Sequence, residues 1–161
     1  MGMFVAPVHH MVIIVSDLDK ALSFWRDTLG WEVITGFSPT RSEEASVATG
    51  VAGKHRSAVL SQEKGIRTGW VELVEFSSPS GKPFPPDEKF SDVGLRLLSF
   101  AVIDIDKAYQ ELQAKGCRFN SPPQRLELPG GRASKACIFR EPVDGIQIEI
   151  FQFLRRGQEG H

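Results

Sequence analysis

The sequence has little that would staple it, anchor it or bind it to a polyanion. It contains 2 cysteines in 161 residues. They stand at positions 117 and 137, without C-x-x-C spacing, and are too few for a disulfide framework. Both lie in apolar stretches and read as small buried hydrophobes, which suits a reducing, cytoplasmic compartment. Charge of one sign is also lacking, since 19 Lys and Arg face 20 Asp and Glu. A general nucleic-acid binder needs surplus cations to neutralise phosphates, and an anionic membrane surface selects for the same surplus. Neither partner is therefore expected. The apolar run Met11–Val15 is far short of the ~20 residues that span a bilayer. The first residues carry no basic segment followed by a long apolar run, so no signal peptide is expected.

What is present is ordinary for a folded domain, with 41% hydrophobic and 24% charged residues. A chain of this length buries roughly 68–70% of its unfolded surface without staples. A single domain is expected, built from module one (8–77), a Ser/Pro/Gly-rich linker (78–93), module two (94–153) and a tail (154–161). The modules resemble each other. His10–Ala21 aligns with Leu97–Ala108 at an offset of 87, matching Val15 with Val102, Asp17 with Asp104, Asp19 with Asp106 and Lys20 with Lys107. Val71–Phe76 aligns with Ile148–Phe153 at an offset of 77, matching Glu72 with Glu149 and Phe76 with Phe153. Two ordered matches on either side of a linker indicate an internal repeat.

Each half reads as strand, helix, then further strands. Val8–Val15 is rich in Val and Ile and stops at Ser16–Asp17, a helix cap. Leu18, Ala21, Leu22, Trp25 and Leu29 recur at helical spacing, and Gly30 closes the helix. A strand is predicted over Trp31–Phe37, a short helix or turn over Ser42–Thr49, and strands over Arg56–Ser61 and Gly69–Phe76 around a turn at Lys64–Gly65. The second half gives strand Leu95–Val102, helix Asp104–Lys115 stopped by Gly116, and strands near Cys117–Phe119, Ala133–Phe139 and Ile146–Phe153. Pro129–Gly131 and Asp144–Gly145 are turns. The architecture expected is α+β: two β-α-β-β-β modules related by a pseudo-twofold.

Strand alternation locates a site. Glu72 shares its face with Trp70, Val74 and Phe76, Glu149 with Gln147, Phe151 and Phe153, and His10 with Val12 and Ile14. The opposite face, Met11, Ile13, Val15 and Leu98, Phe100, Val102, is the one the helices should cover. Carboxylates among apolar strand neighbours are costly unless solvated, paired or bound to a cation. The repeat makes Glu72 and Glu149 equivalent. His9 falls by parity on the helix-covered face, so His10 is preferred. His55, within Lys54–His55–Arg56, reads as part of a solvated turn, and His161 is terminal. Lys54, Arg56, Arg67, Arg96, Arg132 and Lys135 read as surface charges that could receive an anionic substrate group.

The run His10–Gly30 resembles the opening motif of the vicinal oxygen chelate superfamily. That family includes glyoxalase I, methylmalonyl-CoA epimerase, extradiol ring-cleaving dioxygenases and bleomycin- and fosfomycin-resistance proteins. Pro142–Phe151 is similar to the family's Asp-Pro-x-Gly-x-x-Ile-Glu-Leu ending, although Glu141–Pro–Val–Asp–Gly is one residue longer and opens on Glu. The resemblance covers residues 8–153. It implies a curled sheet enclosing a metal and substrate cavity, with ligands from the first and last strand of each module: His10, Glu72, Leu97 and Glu149. His10, Glu72 and Glu149 carry donors suited to one divalent ion, Zn, Ni, Co, Mn or Fe. Leu97 stands where many members have histidine. Three ligands with water still make an open catalytic site, whereas loss of a ligand is also the mark of a metal-free binding member.

The resemblance further implies a glyoxalase-like lyase or isomerase that moves a proton next to a carbonyl of a small oxygenated substrate. Glu149 is the preferred general base and Glu72 the alternate. A ring-cleaving dioxygenase, which uses two histidines and a glutamate, ranks lower because Leu97 replaces the second histidine. A sequestration protein of the bleomycin-resistance type needs only an apolar cavity, which Trp70, Phe76, Phe151 and Phe153 could line. Open strand edges pair between chains, so a homodimer is expected.

Overall fold

The computed structural model describes residues 8–34, 40–41, 54–63, 65, 68–85 and 88–154. The chain divides into two compact units, Met1–Pro83 and Phe84–His161. The expected helix or turn over Ser42–Thr49, residues 35–37 of the expected strand Trp31–Phe37, and Lys64 and Arg67 lie outside the described residues. No helix among the described residues is long and apolar enough to cross a membrane.

The first unit runs β1 (His10–Ile14), α1 (Leu18–Ser23) with a π-helical continuation (Phe24–Thr28), β2 (Glu32–Val33), β3 (Thr40–Arg41), β4 (Lys54–Ser61) and β5 (Trp70–Ser78). Its sheet has the order β1-β5-β4-β2, with β3 also on β4. The second unit runs β6 (Leu98–Ala101), α2 (Ile105–Ala114), β7 (Arg118–Phe119), β8 (Gln124–Leu128), β9 (Arg132–Arg140) and β10 (Gln147–Leu154). Its order is β6-β10-β9-β7, with β8 also on β9. In both units the first strand pairs parallel with the last and the remaining pairs are antiparallel. A parallel pair needs a crossover connection, and the helix supplies it. Both sheets are open, and the fold class is α+β.

The structure refines the expected second strand of each module. β2 and β3 pair with the same edge of β4, and β7 and β8 with the same edge of β9; in the second unit the expected strand is thus broken in two. In the second unit the break falls at Ser121–Pro122–Pro123, where proline offers no N–H to a ladder. β8 escaped the sequence reading because Gln124–Glu127 is exposed throughout and its apolar alternation amounts only to Leu126 and Leu128. It joins β9 through Pro129–Gly130–Gly131, where Gly130 and Gly131 both hold positive φ (78° and 66°), a conformation that reverses an antiparallel pair tightly. β6 begins at Leu98, three residues later than expected.

Alternation sorts the faces as expected. In the first unit Val71 and Leu73 of β5, their partners Leu60 and Ala58 of β4, and Leu18, Ala21 and Trp25 of the helix are buried together. Trp25 and Trp31 pack edge to face, with ring centres 5.3 Å apart. In the second unit Leu98, Ile148, Ile150, Cys137 and Phe139 line the sheet face that takes Ile105 and Leu112 of α2. Val12 and Ile14, on the other face, stay about half exposed.

The repeat extends to the polar groups that seat each helix. The Asp17 carboxylate accepts the Lys20 N–H at 3.0 Å, and Asp104 accepts the Lys107 N–H at 3.0 Å. These are N-caps on donors that have no partner within the helix. The last strand supplies a second acceptor at the equivalent place in each unit, Glu75 for the Leu18 N–H and Gln152 for the Ile105 N–H. The neighbouring strand adds a cation to the first turn, Arg56 to Asp19 (3.1 Å) and Lys135 to Asp106 (2.8 Å).

Candidate functional site

His10 opens β1, and the parallel register sets it beside Trp70 and sets Val12 beside Glu72. All four share the sheet face opposite the one that α1 packs on. His10 Nε2 lies 4.0 Å from Glu72 Oε2, with the side chains 43% and 29% exposed. That separation is too long for a hydrogen bond. It places a nitrogen and a carboxylate oxygen across a gap that a divalent cation, at about 2.0–2.2 Å from each donor, can fill after slight closure. The chemistry of this pair therefore fits a cation. Val59, opposite Glu72 on β4, and Val74 make the surroundings apolar, which strengthens any charge interaction there.

Two histidines are placed differently from expectation. His9 is exposed rather than helix-covered. It precedes β1, so strand alternation does not govern it. Its ring packs edge-on against Trp70 at 4.8 Å, and its Nδ1 lies 2.9 Å from His10 Nδ1. His55 is not in a solvated turn. β4 starts at Lys54, two residues earlier than expected, and His55 is buried within it at 8% exposure. It sits opposite Phe76, with ring centres 5.4 Å apart, on the same face as Glu72. The flanking Lys54 and Arg56 disguised the strand: Arg56 alternates to the other face, opposite Glu75, and the register shifts between Lys54 and His55.

In the second unit Glu149 of β10 lies between Ser99 of β6 and Ile138 of β9. The Ser99 hydroxyl donates to Glu149 Oε2 and orients the carboxylate. Ser99 is the repeat equivalent of Val12, a polar position with no sequence signal of its own. Leu97 precedes β6 and brings no donor atom. Phe151 and Phe153 pack edge to face at 5.1 Å, with Phe153 60% exposed.

The strand carrying Glu149 is entered through a turn built on Glu141. This carboxyl is 3% exposed and accepts the N–H groups of Val143 (2.7 Å), Asp144 (2.5 Å) and Ile146 (3.3 Å). Burial pushes its pKa up, against the pull of those three donors. Glu141 thus ties the residues of the lengthened Glu-Pro-Val-Asp-Gly turn. The cysteines are removed from chemistry: burial pushes the Cys137 thiol up to about 12 and raises Cys117 as well.

The cations considered for substrate are largely committed elsewhere. Arg56 binds Glu75 and Asp19, Lys135 binds Asp106, and Arg96 pairs with Glu88 at 2.6 Å, with its side chain only 19% exposed. Among the described residues no group of three or more His, Cys, Asp or Glu stands ready to hold a metal ion. What the first unit supplies is the donor pair His10 and Glu72.

Comparison with known proteins bears on the family and the fold. Residues 8–150 match the family described as the Glyoxalase/Bleomycin resistance protein/Dioxygenase superfamily. The chain is 29% identical over 150 residues to the uncharacterized protein YwkD of Bacillus subtilis (strain 168), covering 93% of this chain and 99% of that protein. It is similar in structure to a glyoxalase family protein from Bacillus cereus, with a TM-score of 0.75, 21% identity, and coverage of 95% and 97% of the two chains. It is also similar to a V278E mutant of glyoxalase I from Zea mays, with a TM-score of 0.64, 17% identity, and coverage of 90% of this chain and 44% of that one. At these identities the two structures speak for the fold alone. With a strand–helix–strand unit written twice and a family match spanning both copies, the chain belongs to the glyoxalase/bleomycin resistance protein/dioxygenase superfamily.

Proposed function

We propose that the protein is a glyoxalase-like, metal-dependent lyase or isomerase that moves a proton next to a carbonyl of a small oxygenated substrate. In this reading His10, Glu72 and Glu149 together hold one divalent ion, Zn, Ni, Co, Mn or Fe. The observation that carries it is the His10–Glu72 pair, 4.0 Å apart on the sheet face opposite α1. Its force comes from the repeat, which puts a second carboxylate, Glu149, at the equivalent position of the other unit. When bound, such an ion supplies a Lewis acid that polarises a substrate carbonyl and acidifies the adjacent C–H. Glu149, oriented by the Ser99 hydroxyl, accepts that proton and returns it, with Glu72 as the alternate base. Val12 and Ile14, half exposed beside His10, present apolar surface that a bound substrate would cover. Among the described residues β1 and β6 are the end strands of their sheets, and we extend the reading to a homodimer.

A second reading, binding of a small molecule without turnover, is favoured by the apolar Leu97 at a usual ligand position. The experiment is turnover in deuterated water by metal-loaded protein, with a methylglyoxal–glutathione adduct, acyl-CoA epimers and catechols. Deuterium at the carbon that loses its proton supports the proposal. Oxygen uptake with a catechol identifies a dioxygenase instead, and tight binding of an apolar compound without turnover identifies a sequestration protein.

A further inference from the structure

His9 is unused by the chemistry above, yet its ring is held in one place. It packs edge-on against Trp70 at 4.8 Å, and its backbone carbonyl accepts the Trp70 N–H at 3.1 Å. Its Nδ1 stands 2.9 Å from His10 Nδ1. Two ring nitrogens at that distance share a proton, and a neutral imidazole carries only one, on one nitrogen or the other. The remaining nitrogen of His10, Nε2, is the one turned toward Glu72 Oε2. A nitrogen that gives its lone pair to a cation must be unprotonated. His10 then carries its proton on Nδ1, and the acceptor of that proton's hydrogen bond is His9.

We propose that His9 is a positioning residue that locks His10 in the Nδ1–H tautomer, with the Nε2 lone pair free on the Glu72 side. The proposal rests on reading His10 and Glu72 as a donor pair. A carboxylate, a carbonyl or water commonly holds the outer N–H of a metal-binding histidine, and here a second imidazole takes that place. His9, the adjacent residue, escapes strand alternation and so can turn its ring to the same side as His10. Trp70, whose own backbone is paired to His9, keeps the ring from turning away.

The test is nitrogen-15 NMR of the imidazoles in metal-free protein at about pH 8, where ordinary imidazoles are neutral. His10 should show a protonated Nδ1 and an unprotonated Nε2. His9→Phe keeps a ring against Trp70 and removes the acceptor, and should shift His10 toward the Nε2–H form. His9→Asn restores an acceptor and should recover the wild-type tautomer. In zinc titrations His9→Phe should bind about 10–100-fold more weakly than wild type, the range typical for loss of such a partner, and His9→Asn should bind more nearly like wild type. An Nε2–H His10 in the wild type, or a His10 tautomer indifferent to His9→Phe, overturns the proposal. If wild-type protein binds no divalent ion at all, the donor-pair reading fails on its own, and the tautomer measurement still decides the role of His9.

Discussion

The Glu75 carboxylate accepts the backbone N–H of Leu18 at 3.1 Å, and in the other unit the Gln152 carbonyl oxygen accepts the N–H of Ile105 at 3.0 Å. One of these acceptors is charged and carries Arg56 as well; the other is neutral. Replacing Glu75 by Ala should therefore cost more than replacing Gln152 by Ala. About 2–3 kcal/mol against about 1 kcal/mol is the scale for a charged against a neutral partner. Glu75→Gln keeps the acceptor for Leu18 and loses the ion pair, so it should fall between. Urea unfolding midpoints with unchanged slope would check the order, and equal losses for the two Ala variants would contradict it.

Glu141 predicts a pH signature. Its folded-state pKa is raised above the ordinary 4.5 by burial. The folded protein then holds this proton to higher pH than the unfolded chain does. The associated stability is fully present below the ordinary value and is lost as pH rises through the raised one. Glu141→Gln removes the ionisation, so its stability relative to wild type should improve as pH rises from about 4 to 7. A difference that stays flat with pH would remove the burial effect. Glu141→Ala leaves three part-buried N–H groups without this acceptor and should be less stable than Glu141→Gln, by about 1–3 kcal/mol in all.

Thiol chemistry should be silent in the native state. Cys137 has its thiol pushed up to about 12, Cys117 is raised too, and both are buried. The thiolate is the reactive form. A chromogenic disulfide reagent at about pH 8 should thus find no fast-reacting thiol in folded protein and both after unfolding. Rapid reaction of either one in native protein would show that its burial is transient.

The proposed ligands make a graded prediction for metal. Wild-type protein freed of metal should take up one equivalent of Zn, Ni, Co or Mn, and His10→Ala, Glu72→Ala and Glu149→Ala should each abolish or severely weaken that uptake. Leu97→His, which restores a donor at the remaining strand-one position, should tighten it. On a true substrate Glu149→Gln should lower kcat by about 10²–10⁴-fold, the usual worth of a general base. Retention of full metal affinity by Glu149→Ala would exclude that residue from the ligand set.

The fold was legible where one face of a strand or helix is buried. β1, α1, β5, α2, β9 and β10 all alternate or recur against the core, and their positions follow from Val, Ile and Leu spacing. The broken strand of the second unit was not legible, because β8 is exposed and its pairing depends on the Gly130–Gly131 reversal rather than on apolar pattern. Parity placed His10 and Glu72 on one face correctly, since both lie in regular strands. It misplaced His9, which lies one residue before the strand begins, and the Lys54–Arg56 context hid His55. Ser99 and Glu141 were invisible because their roles, holding Glu149 and tying a turn, depend on partners distant along the sheet or on backbone N–H groups.

The break at Ser121–Pro122–Pro123 has a consequence for how the protein behaves in a crowd. β7 and β8 form the outer rim of the second sheet. An uninterrupted rim there would offer a row of unpaired N–H and C=O groups for another chain to add to, the first step toward fibrous accretion. Two adjacent prolines remove consecutive donors from that row, and Arg125 and Glu127 on the far side hold charge along it, bound to each other at 2.7 Å. Growth by strand addition therefore finds no continuous template on this side of the molecule. Substituting both prolines by β-branched residues would convert the rim into one, and slow thioflavin-positive aggregation of an otherwise folded protein is the form that change would take.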